Sequence, residues 1–285
     1  MKSYLSFVLC AAAVLAVASP AGATLVFYDG FNYSATNNIN GVGSWIDSGG
    51  VVGVSATGLN YTGLATEGGS AIKKLPQTGN IGSAVGTHAY QLVGTALQDL
   101  FKSTDSTWYI SYLRGHTEDG LGNRANIYIN MHDGAGAKTT EGINLGTNSP
   151  DYQMSDIGGG EGNGAAATNP VGTSLVVMRV RMLVGDDEIT GIVNPDLIGG
   201  GDLDPGDFDS APAAYGEVSA TAGENIDWLG ISIGQWSINT LGDKTLLDEI
   251  RIGTTLADVI PVPEPATLIV LSLGLVPVLL RRRKG

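Results

Sequence analysis

Four carboxylates fall close together in the loop GGGDLDPGDFDS: Asp202, Asp204, Asp207 and Asp209. Closely spaced oxygen donors on a chain that can wrap are what calcium requires, since it takes about 6–8 oxygen ligands. The spacing departs from the helix-flanked calcium loop, which wants glycine at its sixth position and glutamate at its twelfth. Here those positions hold Asp207 and Ala213. A calcium loop through these four residues and a solvated acidic loop without an ion both fit the pattern. Calcium is the one cofactor the sequence suggests.

Asp248 and Glu249 in LLDEIRIG offer a second chemistry. Glycoside cleavage uses two carboxyl groups about 5 to 10 Å apart across the scissile bond. Neighbouring residues of a strand point to opposite faces, so this pair cannot flank one sugar. The alternation predicts Glu249 beside Arg251 on an outer face. It puts Asp248 on the face of Ile250 and Ile252, where it satisfies the backbone of a nearby loop.

The remaining candidates are weaker. His88, His116 and His132 lack the His-Glu-x-x-His spacing of a zinc helix and read as surface or turn residues,. Residues 158–164 (GGGEGNG) have no following Lys-Ser/Thr, so they form a loop and no phosphate cradle,. Trp45, Trp108, Trp228 and Trp236 could stack on sugar rings, but such large apolar side chains read first as core. Cys10 is the single cysteine, which excludes thiol catalysis and cysteine-based zinc sites once the leader is gone,. No catalytic residue is assigned, and the expectation is a protein that is not an enzyme.

The elements that must position these residues are strands. Gly accounts for 42 of 285 residues, about twice the ordinary usage of roughly 7%, and it separates short β-branched and aromatic runs. In 174–184, SLVVMRVRMLV, Val176, Met178, Val180 and Met182 share one face and Val177, Arg179, Arg181 and Leu183 the other, predicting a strand with one core face. Similar runs predict strands at 25–28, 51–56, 108–113, 125–131, 188–193, 226–233 and 246–252. Asp186, Asp187 and Glu188 read as a polar hairpin turn. Only 95–102 and 256–259 suggest helix. Many short strands with glycine-rich turns predict an all-β fold, an antiparallel β-sandwich.

Both ends carry processing signals. Lys2, the apolar run 5–17 and the small-x-small sequence Ala21-Gly22-Ala23 describe a secretory leader over residues 1–23, removed to leave Thr24 first,. Residues 24–260 then form one domain. With Lys2 and the four C-terminal cations set aside from 15 basic residues, and Glu264 from 28 acidic ones, the exported part stands near −17. Such a charge repels nucleic acid, which is excluded as a partner.

Residues 261–285 hold Val262, the turn Pro263-Glu264-Pro265, an uncharged stretch at 266–280, and then Arg281, Arg282, Arg283 and Lys284. As a helix 266–280 covers roughly 22 Å at about 1.5 Å per residue, short of a bilayer core of about 30 Å. Snorkelling of the terminal cations makes up part of the difference. Those cations stay cytoplasmic, which places everything before Glu264 outside. In its order of Pro-Glu-Pro, apolar helix and Arg cluster, this tail resembles the PEP-CTERM sorting signal, the substrate signal of exosortase in Gram-negative bacteria. The resemblance implies exosortase as partner, an inner-membrane-tethered intermediate held by helix 266–280, and delivery to the cell surface or an extracellular matrix.

A second resemblance lies between the two signals. LVFYDGFNYSATNNINGVGSW, TWYISYLRG, GIVNP and LLDEIRIGTTLADV are similar to segments of concanavalin A-like jelly-roll domains. That family implies a lectin- or glucanase-like sandwich whose two ends meet in one sheet. The Glu-x-Asp-x-x-Glu pattern of laminarinase-type relatives is absent. The expectation is thus a secreted, non-enzymatic surface or matrix protein, lectin-like, with extracellular polysaccharide as partner. A carbohydrate-active enzyme on the same scaffold, or a purely structural surface protein, is the alternative.

Overall fold

Residues 172–182 pair with 106–116 along their whole length, and this ladder is the spine of the molecule. The computed structural model describes residues 24–47, 52–74, 89–92, 94–116, 125–133, 143–148, 151–156, 166–168, 172–185, 187–198, 203–211, 213–216, 226–235 and 245–261. The expected leader, the membrane helix at 266–280 and Asp202 lie outside them. Among the described residues no helix is long and apolar enough to cross a membrane.

In chain order the elements are β1 (Leu25–Asp29), β2 (Trp45–Asp47), β3 (Val52–Val54), β4 (Ile72–Lys74), β5 (Ala89–Leu92), α1 (Thr95–Lys102), β6 (Ser106–His116), β7 (Ala125–Asp133), β8 (Ile143–Asn148) and β9 (Asp151–Asp156). There follow β10 (Ala166–Thr168), β11 (Gly172–Met182), β12 (Asp187–Val193), the 3-10 turn Pro205–Asp209, β13 (Ala213–Gly216), β14 (Ile226–Gln235), β15 (Thr245–Gly253) and α2 (Leu256–Val259). Among the described residues the large sheet runs β13-β12-β11-β6-β15-β4-β3, with β1 also on β15. A second sheet runs β2-β5-β14-β7 and a small third one β10-β9-β8. The antiparallel β-sandwich predicted from the strand spacing is the fold observed, and its first and last strands pair: Tyr28 lies opposite Arg251 and Asp29 opposite Ile250.

The alternation of β11 decides the core. Val176, Met178, Val180 and Met182 enter the cluster between the sheets, with Trp45 and Ala89 from the second sheet and Trp108, Ile110 and Tyr112 from β6. The expectation of a single core face is corrected, because Leu175 and Val177 on the other face are also buried, with Tyr109, Leu113, Phe208 and Val259. The loop 58–64, the 3-10 turn and α2 cover that face with apolar side chains, so a period-2 strand is buried on both sides. Trp45 and Trp108 are core residues, 1% and 0% exposed. The hairpin expected at Asp186-Asp187-Glu188 joins β11 to β12, with Asp187 and Glu188 already the first residues of β12 and Asp186 outside the described residues. Asp187 is 0% exposed, and its carboxylate accepts the Leu183 amide at 2.8 Å.

Candidate functional site

The carboxylates of β15 come together through an irregularity in its pairing. Asp248 lies opposite Leu113 and Arg251 opposite Ser111, so three steps on β15 match two on β6. Glu249 takes up the extra residue with φ +54°, a left-handed conformation rare for a side chain of its size,. The bulge reverses the alternation. Leu247, Ile250 and Ile252 face the inter-sheet core, while Asp248, Glu249 and Arg251 all reach the loop 59–67 on the other side. The expectation that Asp248 shares the face of Ile250 and Ile252 is thereby corrected. Glu249 does lie beside Arg251 on the outer face, as expected, and the covering loop buries the cluster: Asp248, Glu249 and Arg251 are 0%, 1% and 5% exposed.

Each group in this cluster has defined partners. Asp248 accepts the Leu59 amide at 2.7 Å and the Glu249 amide at 2.9 Å. Glu249 accepts the Glu67 amide at 2.6 Å, the Tyr28 hydroxyl at 3.0 Å and an Arg251 guanidinium nitrogen at 2.6 Å. Arg251 also donates to the Ala65 carbonyl at 3.0 Å and lies over the Tyr28 ring. Burial pushes the Asp248 carboxyl up to about 7; the Leu59 amide pulls it down and the Glu249 charge adds to the rise. These bonds fasten the loop to the sheet. The pair that resembled a glycosidase dyad in the sequence spends its oxygens on backbone amides, a phenol and a guanidinium.

The acidic loop is also built into the fold. The Asp204 carboxylate accepts the Gly206 amide at 2.6 Å and the Asp207 carboxylate accepts the Asp204 amide at 2.8 Å, a reciprocal cap on the 3-10 turn,. Asp209 pairs with Arg179 at 2.7 Å. Arg179 also reaches Glu188 at 3.0 Å and the Pro205 carbonyl at 3.0 Å. Among the described residues no group of three or more His, Cys, Asp or Glu side chains converges as a metal site would require. His116 and His132 lie on β6 and β7, and Trp228 lies on β14. His88, Trp236 and residues 158–164 lie outside the described residues.

Sequence reasoning missed Asp29. It accepts the Phe31 amide at 2.8 Å, the Tyr33 hydroxyl at 2.9 Å and the Trp45 indole at 2.7 Å. Burial raises its carboxyl above the ordinary range, against the pull of the Trp45 donor. The Asp-Gly-Phe step was the available signal, because an aspartate two residues before an amide it caps is a standard turn device. Also missed was a cleft of about 340 Å³ lined by Asn60, Tyr61, Thr173, Asp196, Leu197 and Ile198. The Tyr61 hydroxyl donates to the Pro195 carbonyl at 2.8 Å, which fixes its ring, and Ile198 is 63% exposed.

Solved structures similar to this chain include several carbohydrate-related proteins. An endo-1,3-beta-glucanase from Streptomyces sioyaensis is 12% identical, with TM-score 0.41 over 84% of this chain and 98% of that one. A family 22 carbohydrate binding module from Clostridium thermocellum is 12% identical, with TM-score 0.33 over 85% and 100%. A Trypanosoma rangeli sialidase mutant is 10% identical, with TM-score 0.34 over 72% of this chain and 27% of that one. This chain thus spans about a quarter of the sialidase. At these scores the likenesses carry no inference about substrate or activity. No curated protein matches the sequence. Residues 261–284, which begin as the chain leaves α2, match the PEP-CTERM protein-sorting motif, and the chain therefore carries a signal for export and sorting to the cell surface.

Proposed function

We propose that this chain is an exported surface or matrix protein, processed by exosortase, whose β-sandwich contacts extracellular polysaccharide without cleaving it. The observation that carries the reading is the sorting motif on residues 261–284. Pro261, the first matched residue, accepts the Ala65 amide at 2.8 Å, so the matched segment starts from a residue bonded to the sandwich. The membrane-tethered intermediate, held by 266–280, precedes release.

The cleft at Tyr61 and Ile198 supports polysaccharide as the partner. Sugars present apolar C–H faces and hydroxyl rims, and this lining offers an aromatic ring and an exposed aliphatic beside Asn60, Thr173 and Asp196,. The non-catalytic reading draws support from Asp248 and Glu249, whose oxygens bind the structure itself.

The test is a glycan array with the mature protein, with and without calcium, comparing the wild type with Ile198→Asp. Binding that weakens at least tenfold in the variant is expected. No binding under either condition overturns polysaccharide contact, and release of new reducing ends from a bound glycan overturns the non-catalytic part. Mass spectrometry of the surface-released protein checks the sorting. A surviving Arg281-Arg282-Arg283-Lys284-Gly285 end would contradict it.

A further inference from the structure

We propose that Asp258 is the receptor for the α-ammonium group that leader removal creates on Thr24, so that export maturation installs an ion pair at the end of the sandwich. The proposal rests on the export reading in requiring cleavage between Ala23 and Thr24.

The receptor is assembled independently of Thr24. Asp258 Oδ2 accepts the Thr255 amide at 2.8 Å and the Thr255 hydroxyl at 2.9 Å, a capping box at the start of α2. Gly253 permits this placement, because a Cβ there would lie 2.3 Å from the Asp258 Cβ. The same oxygen lies 3.2 Å from the Thr24 backbone nitrogen. Thr24 is aligned from its other side, where its carbonyl accepts the Thr254 amide at 3.2 Å. Leu25 opposite Gly253 then begins the pairing of β1 with β15.

Leader peptidase uses water to break the Ala23–Thr24 C–N bond. Ala23 leaves as a carboxylate, and Thr24 keeps the nitrogen as an amine that takes up a proton at neutral pH, its ordinary pKa being about 7.7–8.0. One neutral N–H facing Asp258 becomes three N–H donors carrying a positive charge. Charge-assisted bonds are roughly twice as strong as neutral ones. In an exported part near −17, a new cation placed on a carboxylate also relieves repulsion,. The first strand is thereby fastened to the last at the point where the chain departs for its sorting motif.

The experiment compares two forms of the chain in detergent, one beginning at Thr24 and one retaining Ala21-Gly22-Ala23 ahead of it. In the Thr24 form the α-amine is expected to titrate about half a unit above its ordinary range, and the thermal midpoint at pH 6.5 to lie about 2 °C higher than in the extended form. A raised amine pKa confers stability that is full below the unfolded value and lost as pH climbs through the folded one, so the difference disappears by about pH 9.5. Asp258→Asn weakens the α2 cap in both forms alike, and the readout is the gap between the forms, which closes in this variant. Equal midpoints at pH 6.5, or an ordinary amine pKa, overturn the proposal. An exported protein whose first residue is not Thr24 overturns it by a separate route, since the cleavage position then fails while the sorting motif stands.

Discussion

The Asp248 carboxylate accepts the Leu59 amide at 2.7 Å across 189 positions of chain. This bond and the adjoining ones from Glu249 and Arg251 dock an early loop on the last strand, on the outer face of the large sheet. The same residues looked in sequence like the nearest approach to a catalytic pair.

Asp248 makes stability fall as pH rises. Its folded carboxyl titrates at about 7, whereas an unfolded aspartate titrates near about 3.9. The folded state holds a proton that the unfolded chain has lost, so the contribution is full below about pH 4 and gone once pH passes about 7. The total decline amounts to about 4 kcal/mol at most. Urea midpoints measured from pH 4 to 8 should show this decline in the wild type and a flatter profile in Asp248→Asn.

Glu249 and Arg251 form a buried pair, and such pairs are costly to break singly. Glu249→Gln leaves the Arg251 charge unmatched, and a loss of about 3–5 kcal/mol is expected. Replacing both, as Glu249→Gln with Arg251→Met, should cost less than the sum of the two single changes by more than about 1 kcal/mol. A double-mutant cycle by chemical denaturation provides the check. Strict additivity would mean that the two residues act through other partners.

Arg179 holds the 3-10 turn to the sheet through Asp209 and the Pro205 carbonyl, and it stands over the ring of Phe208. Arg179→Met should free this turn while keeping much of the packing, at a cost of about 2–4 kcal/mol. Limited proteolysis reads the change directly, with faster cutting within 203–211 expected.

Asp204 acts as a cap. Asp204→Ala removes the acceptor for the Gly206 amide, and a loss of about 0.5–2 kcal/mol follows from ordinary capping energetics. The loss should be the same in calcium and in chelator. Thermal unfolding in both media tests it, and a loss confined to calcium would instead assign the loop to the ion.

The long strands were legible because burial imposes a period of two. In β11 the residues Val176, Met178, Val180 and Met182 declare one face without any partner in view. The helix at 95–102 was legible as well, through its clustered apolar positions. Of the three- and four-residue strands, β3 falls within the run predicted at 51–56, whereas β2, β4 and β5 were not predicted. IKK and AYQL carry too few residues to establish a period, and pairing with longer neighbours determines them. Of the site, Asp248 was correctly given a structural task but put on the wrong face. The cleft at Tyr61 was not legible at all, since its walls come from 60–62, Thr173 and 195–198.

The sequence by itself determined the all-β class, the absence of any cysteine beyond Cys10, and the tail that matches the sorting motif. These are local properties, carried by composition, period and residue order. Tertiary structure alone decided that Glu249 absorbs an extra residue against β6 and turns Asp248, Glu249 and Arg251 towards one loop. Register belongs to two strands at once. A shift of one residue sends every later side chain to the opposite face, and nothing within LLDEIRIG records the strand beside it.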